Sequence, residues 1–223
     1  MIYHETEHGA LHCGDCLDIL PTLADKSVDL VLTDPPYGIG IGSVVGGNNL
    51  TTATDYGTHN NWDNAIPPKQ VFDEMIRCSK NQIVFGGNYF IEYLTNSPCW
   101  LVWDKDNTGN FADCELAWTS FKTAVRIFKH RWNGMLQENM KEKDKRYHPT
   151  QKPISLFEWC LSNYSEQGNL ILDPFAGSGT TAIACIRLNR KYILIEKEEK
   201  YCEIAARRIE TELNQTDIFR EAP

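Results

Sequence analysis

An α/β fold, doubly wound around a mostly parallel sheet with helices on both faces, is the architecture this sequence predicts. Three observations predict it. Short β-branched apolar runs alternate with helical stripes along most of the chain. The runs are nearly continuous in apolar residues, as strands covered on both faces require. The last third, "NLILDPFAGSGTTAIACIRLNRKYILIEKEEKYCEIAARRIETEL", reads strand, glycine-rich turn, helix, strand, helix.

Taken in order, "SVDLVLT" (27–33) is the first clear strand, and it stops at "DPPY", where two prolines fix φ and remove two backbone donors. "PKQVFDEMIRCSK" (68–80) carries apolar residues at 71, 72, 75 and 76, one face of a helix. "NQIVFGG" (81–87) follows as a strand, "NYFIEYLTN" (88–96) as a short helix and "CWLVWDK" (99–105) as a strand. "CELAWTSF" and "TAVRIFKH" are strands with no room for a helix between them, so they are expected to pair as a hairpin. "PISLFEWCLSNYS" (153–165) enters a helix at proline and shows an apolar face.

The 223 residues, 42% hydrophobic and 23% charged, suit one compact domain spanning 1–223. No apolar run approaches the roughly 20 residues of a membrane span, and "MIYHETEHGA" is no secretory signal, so a soluble, cytoplasmic protein is expected. Eight scattered cysteines lie mostly in apolar segments and read as reduced core residues. Only "HCGDC" suggests a metal, and no later C-x-x-C completes a zinc site, so none is predicted.

The net charge of −8 argues against indiscriminate coating of nucleic acid. The charge is uneven, however: residues 121–152 hold nine Lys or Arg against three Asp or Glu, while the other 191 residues hold 13 against 27. A basic face on an acidic body suits contact with a polyanion at one place, and equally a solvated loop. Two aperiodic stretches stand out, a Gly/Asn/Thr-rich loop at 38–66 and the basic segment at 130–147. Loops this long in compact domains are usually functional lids or disordered.

Two motifs carry chemistry. In "TDPPYG", a carboxylate and an aromatic ring sit on a stiff corner directly after a strand, a device for placing a substrate. In "LILDPFAGSGTT", Asp173 ends a strand and glycines open the next helix, where backbone N–H groups approach a ligand closely. Glu196 ends the next strand 23 residues on, where an acid holds ribose hydroxyls. The turn lacks the third glycine of the dinucleotide fingerprint, and no G-x-x-x-x-G-K-[ST] exists, so a nucleoside cofactor fits better than NAD, FAD or a triphosphate.

"DPPY", "HPTQKP" (148–153) and "DPFAGSGTT", with the opening "GDCLDILPTLADKSVDLVLTDPPY", resemble the β-class amino-group DNA methyltransferases, in which the catalytic motif precedes the cofactor motif. The resemblance covers about residues 10–210. It implies a class I methyltransferase sheet of seven strands, Rossmann-like, with six parallel and one antiparallel, and S-adenosylmethionine (SAM) as cofactor. It also implies that Asp34, Pro35, Pro36 and Tyr37 are catalytic, and that Asp173, Phe175, Gly177, Ser178, Gly179 and Thr180 shape the cofactor turn. Glu196 would hold the ribose, Asp15 the adenine, and Thr150 and Lys152 would lie near the methionine end, a solvated Lys152 being the alternative.

An exocyclic amine is a poor nucleophile because its lone pair is conjugated into the ring. Asp34 and the Pro35 carbonyl would accept its two hydrogens and localise that pair, with Tyr37 stacked on a base flipped out of the duplex and no metal required. Lys129, Arg131, Lys141, Lys143, Lys145 and Arg146 would contact DNA phosphates. The 38–66 loop would close over the extruded nucleotide or enter the DNA, with Trp62 either anchoring it or packing back on the core. Within the resemblance, Asp at the first motif position favours N6 of adenine over N4 of cytosine. A non-catalytic nucleic-acid binder of the same fold is the alternative of a different class. A homodimer and a cognate restriction endonuclease are the partners the resemblance suggests besides DNA.

Overall fold

The computed structural model describes residues 1–40, 63–106, 112–133, 136–139, 145–147 and 150–221. Eleven strands and five α-helices follow in chain order: β1 Ile2–Thr6, β2 Gly9–Cys13, α1 Cys16–Ile19, β3 Val28–Thr33, α2 Lys69–Cys78, β4 Ser79–Phe85, β5 Trp100–Asp104, β6 Cys114–Thr119, β7 Arg126–Lys129, β8 Trp132–Asn133, β9 Leu136–Gln137, α3 Ile154–Tyr164, β10 Leu170–Asp173, α4 Thr180–Arg187, β11 Lys191–Glu196 and α5 Glu199–Glu221. Nine of the strands form one sheet in the order β1-β2-β11-β10-β3-β4-β6-β5-β7, and β8 and β9 pair separately.

From β2 to β5 the sheet has seven strands, and only β6 runs antiparallel to the others. That is the architecture the sequence resemblance implies, extended by one edge strand on each side. β1 adds to β2 as an antiparallel hairpin, and β7 adds to β5 in parallel. The expected hairpin of β6 with β7 does not form. β6 is wedged between β4 and β5, and the chain after it passes to the far edge of β5. The short helix expected at 88–96 is a single 3₁₀ turn, Gly87–Tyr89, which ends where Phe90 leaves helical backbone (φ −121°, ψ 18°) and buries its ring against Phe72.

Two apolar layers hold the helices to the sheet. On one face, Leu30, Leu32, Ile171 and Leu194 meet α3, α4 and α5 through Phe157, Ile183 and Ile209. On the other, Val31, Val84, Leu172 and Ile195 meet α1 and α2 through Cys16, Phe72 and Met75. Neighbours in sequence such as Ile171 and Leu172 thus serve opposite layers, which explains the near-continuous apolar runs. None of the eight cysteines forms a disulfide, and six are buried.

β3 and β10 lie side by side at the centre, although 140 residues separate Thr33 from Asp173. Chain connections leave this pair in opposite directions, and open α/β sheets bind ligands at the carboxyl ends of strands at such a switch point. The two ends are joined side chain to side chain: the buried Thr33 hydroxyl donates to Asp173 Oδ1 at 2.7 Å. Replacing Thr33 by Val keeps the shape and removes the donor from a buried carboxylate. It is expected to destabilise the fold by about 1–3 kcal/mol in urea unfolding, and an unchanged midpoint would show that the strand ends need no such link.

Candidate active site

The corner after β3 is built before any ligand arrives. Pro35 and Pro36 hold the chain extended, Gly38 turns it at φ 71°, and the Gly38 amide donates to Asp63 Oδ1 at 2.9 Å. Tyr37 lies against the end of β4. A Cβ on Gly86 would stand 2.1 Å from Tyr37 Cε1, so only glycine lets the ring seat there. The ring stacks on Tyr89 with centroids 4.9 Å apart and 15° between planes, and Phe90 meets it edge-on at 6.1 Å. One face of Tyr37 is therefore already covered by a neighbour that is itself 44% exposed.

Asp34 is held at both oxygens. Tyr37 donates its hydroxyl to Oδ1 at 2.6 Å, and Lys152 donates to Oδ2 at 2.5 Å. Lys152 is only 6% exposed and also reaches Glu115 Oε2 at 3.0 Å, while Lys105 pairs with Glu115 Oε1. Burial pushes the Asp34 carboxyl up, and Lys152 opposes that push. Burial would lower the Lys152 ammonium, but Asp34 and Glu115 override it and hold the charge firmly.

Alongside lies a cleft of about 560 Å³ lined by both motifs, within the range usual for small-molecule sites. Gly177 (φ 51°) and Gly179 (φ 81°) shape its floor, and a Cβ on Gly177 would meet nothing within 4 Å, so backbone faces the cavity directly. Asp173 lies beneath, accepting from Thr33, from the Phe175 amide at 3.1 Å and from Thr181. Burial raises its carboxyl to about 6 against those donors. Glu196, at the end of β11, accepts from the Gly177 amide at 2.8 Å and the Glu198 amide at 2.8 Å, and burial raises it to about 7. Asp15 caps α1 through the Leu17 amide at 3.0 Å and pairs with Lys197 at 3.0 Å at the cleft's rim. The Leu17 hydrogen bond is the largest influence on its carboxyl and helps hold it below the usual range.

Asp34, Asp15, Pro36, Thr150, Asp173, Phe175, Gly177, Ser178, Thr180 and Glu196 thus line one cavity. Gly179 sits just behind as the N-cap of α4, and Ser178 is fixed by Gln151 at 3.1 Å and Arg208 at 2.9 Å. Lys152 also lines the cavity, yet its ammonium is engaged by two carboxylates of the chain itself. Of the basic residues, Lys129 and Arg131 lie at the end of β7, on the same sheet edge as Asp34, and both pair with Asp106. Lys145 stacks over Tyr147 at 4.9 Å and Arg146 over Trp132 at 5.9 Å. Lys141, Lys143, Trp62 and most of the 38–66 loop lie outside the described residues.

Sequence reasoning missed Glu115, Lys105, Gly86 and Tyr89. Glu115 did leave a signal: it is the one charged residue in the strand "CELAWT". Its position follows from topology. β6 alone runs against the parallel strands of the central seven, so its first residues, not its last, reach the edge where Asp34 lies.

Substituting Gly86 by Ala must displace the Tyr37 ring or the backbone. A loss of about 1–3 kcal/mol is expected in urea unfolding; wild-type stability would mean that the ring does not seat on this glycine.

The fit to SAM can be judged on these features: a glycine floor open to a ligand, an acid at the end of the adjacent strand, and a cavity of nucleoside size reaching a carboxylate on a rigid corner. The residues fit it. A family profile described as DNA methylase matches residues 102–207. The Type II methyltransferase M2.MboI of Moraxella bovis is 26% identical over 89% of this chain and 86% of its own length. M.HinfI of Haemophilus influenzae is 29% identical over 92% of this chain and 69% of its own. Among solved structures, the PvuII DNA methyltransferase (cytosine-N4-specific) superimposes with a TM-score of 0.62 at 17% identity, covering 95% of this chain and 93% of that one. M1.HpyAVI in complex with SAM does so with a TM-score of 0.56 at 23% identity, over 90% and 98%. With its two motifs on adjacent strand ends and these relatives along nearly its whole length, the chain is similar to the amino-group DNA methyltransferases, and its cleft fits S-adenosylmethionine.

Proposed function

We propose that the protein methylates the exocyclic N6 of an adenine extruded from DNA, at a specific site. The observation that carries this reading is the Asp34 carboxylate, fixed by Tyr37 and Lys152 on the rim of the cleft that the Gly177 turn floors. When bound, SAM supplies an electrophilic methyl group. A carboxylate has about four lone-pair sites; Tyr37 and Lys152 take two, and the remainder accept hydrogen from the amine. The Pro35 carbonyl takes the second hydrogen, and the nitrogen lone pair is drawn out of conjugation. This is positioning with electrostatic support, prepared before the substrate arrives.

Tyr37 orients the carboxylate through its hydroxyl and, with Tyr89, forms an aromatic wall against which an extruded base stacks. Asp173 supports the turn, Glu196 accepts from the ribose, and Asp15 meets the far end of the nucleoside. Lys129, Arg131, Lys145 and Arg146 serve the phosphates, a role extended to Lys141 and Lys143. The Type II methyltransferase relatives support a role in modification alongside an endonuclease. Cytosine N4 is the second reading, favoured by the likeness to the cytosine-N4-specific PvuII enzyme.

Methylating defined DNA, digesting it to nucleosides and identifying the product decides between them: N6-methyladenine is expected, and N4-methylcytosine would overturn the adenine assignment. Substituting Asp34 by Ala is expected to lower turnover by about a thousandfold or more, with cofactor affinity retained. Residual turnover near wild type would remove Asp34 from the chemistry.

Glu196 gives a pH signature. Its carboxyl is raised to about 7 without ligand, whereas ribose hydroxyls donate to the ionised form. Binding therefore favours deprotonation, and affinity rises with pH through that value. SAM titrated calorimetrically should bind roughly fivefold more weakly at pH 6 than at pH 7, and Glu196→Gln should flatten the dependence. A wild-type profile already flat across this window would place Glu196 away from the ribose.

A further inference from the structure

Lys152 is shared. Its ammonium lies 2.5 Å from Asp34 Oδ2 and 3.0 Å from Glu115 Oε2, and the Tyr37 hydroxyl spans the same two carboxylates at 2.6 and 3.3 Å. Two carboxylates and two ammoniums thus form one balanced cluster, but its halves are unequal. Glu115 has two lysines, since Lys105 holds its other oxygen and is itself braced over the Trp103 ring at 5.0 Å. Asp34 has one lysine and a tyrosine. The groups that face Asp34 are Tyr37 from its own corner, Lys152 from the segment before α3, Glu115 from β6 and Asp173 from β10.

We propose that Glu115, anchored by Lys105, is a positioning residue for methyl transfer: it draws part of the Lys152 charge away from Asp34 and leaves that carboxylate able to take the proton of the reacting amine. This rests on the amine-methylation reading above. As nitrogen bonds the methyl carbon, whose bond to the donor sulfur would break with its electron pair left on sulfur, nitrogen must shed one hydrogen; the N–H electron pair returns to nitrogen, and the proton forms an O–H bond on Asp34. An Asp34 paired with an undivided ammonium would be a weak acceptor. With Lys152 divided, a proton entering the cluster settles on Asp34, because Glu115 is doubly countered. The directions agree: burial would raise both acids, yet the two lysines hold Glu115 far below its usual value while Asp34 stays raised.

The test is the pH dependence of kcat at saturating SAM in wild type, Glu115→Gln and Lys105→Met. Glu115→Gln leaves Lys152 to Asp34 alone, so the acid limb should move down by roughly one pH unit and plateau kcat should fall on the order of tenfold. Lys105→Met leaves Glu115 countered by Lys152 only, drawing that ammonium from Asp34, so the acid limb should move up. A merely structural contact would move neither limb or both alike, and either result overturns the proposal. Each variant has its own direction, so one that folds suffices. SAM affinity, read separately, should stay within a few-fold of wild type. Wild-type protein that methylates no amino group at any pH would instead overturn the underlying reading, and this proposal with it.

Discussion

A single buried carboxylate joins the halves of the site. Asp173 accepts from Thr33 on β3, from the Phe175 amide in its own turn and from Thr181 on α4, so strand, turn and helix are tied at one point. Burial alone would favour its neutral form, and the three donors are what make a charged group tolerable there. The proline corner begins one residue after Thr33, and the glycine floor begins four after Asp173. Holding those two residues together therefore sets the distance between Asp34 and the glycine turn. Neither motif could supply that distance alone.

The parts of the fold with local signatures were readable in the sequence. The glycine turn, the double proline and the apolar runs of β3, β10 and β11 each have a physical cause within a few residues. Edge strand β1 did not announce itself in this way, and β7 was legible as a strand but not in its pairing. Their exposed faces relax the apolar pattern, and β7 pairs with a strand that its sequence neighbours do not predict. The mispaired hairpin has the same origin: adjacency in sequence favours β6 with β7, whereas burial favours β6 in the middle of the sheet, with Ala117, Trp118 and Thr119 fully enclosed.

Site residues divide along similar lines. Those inside motifs could be nominated because their neighbours are diagnostic. Glu115 and Lys105 were not, because their importance depends on strand direction. In a parallel strand the first residues lie at the edge remote from the site, and only the reversal of β6 brings Glu115 to Lys152. Lys152 illustrates the converse. Its motif is a local signal, but which carboxylates claim its charge depends on the folding of distant segments. A buried ammonium is tolerated when opposite charges surround it closely, and Asp34 and Glu115 provide that on two sides.

Because the site is assembled at the ends of adjacent strands, the order of its motifs along the chain is not constrained by its chemistry. β3 and β10 need only pair; what connects them can be long. Here the connection carries α2, β4 to β7 and the basic segment, and the parallel direction of β7 delivers Lys129 and Arg131 to the same edge as Asp34. An arrangement with "DPPY" first thus leaves the end of β7 to hold positive charge on the same edge as the proline corner. The return of the chain through Gln151 and Lys152 then closes the circuit. Gln151 fastens Ser178 of the glycine turn while Lys152 fastens Asp34, so one short segment holds both halves of the site.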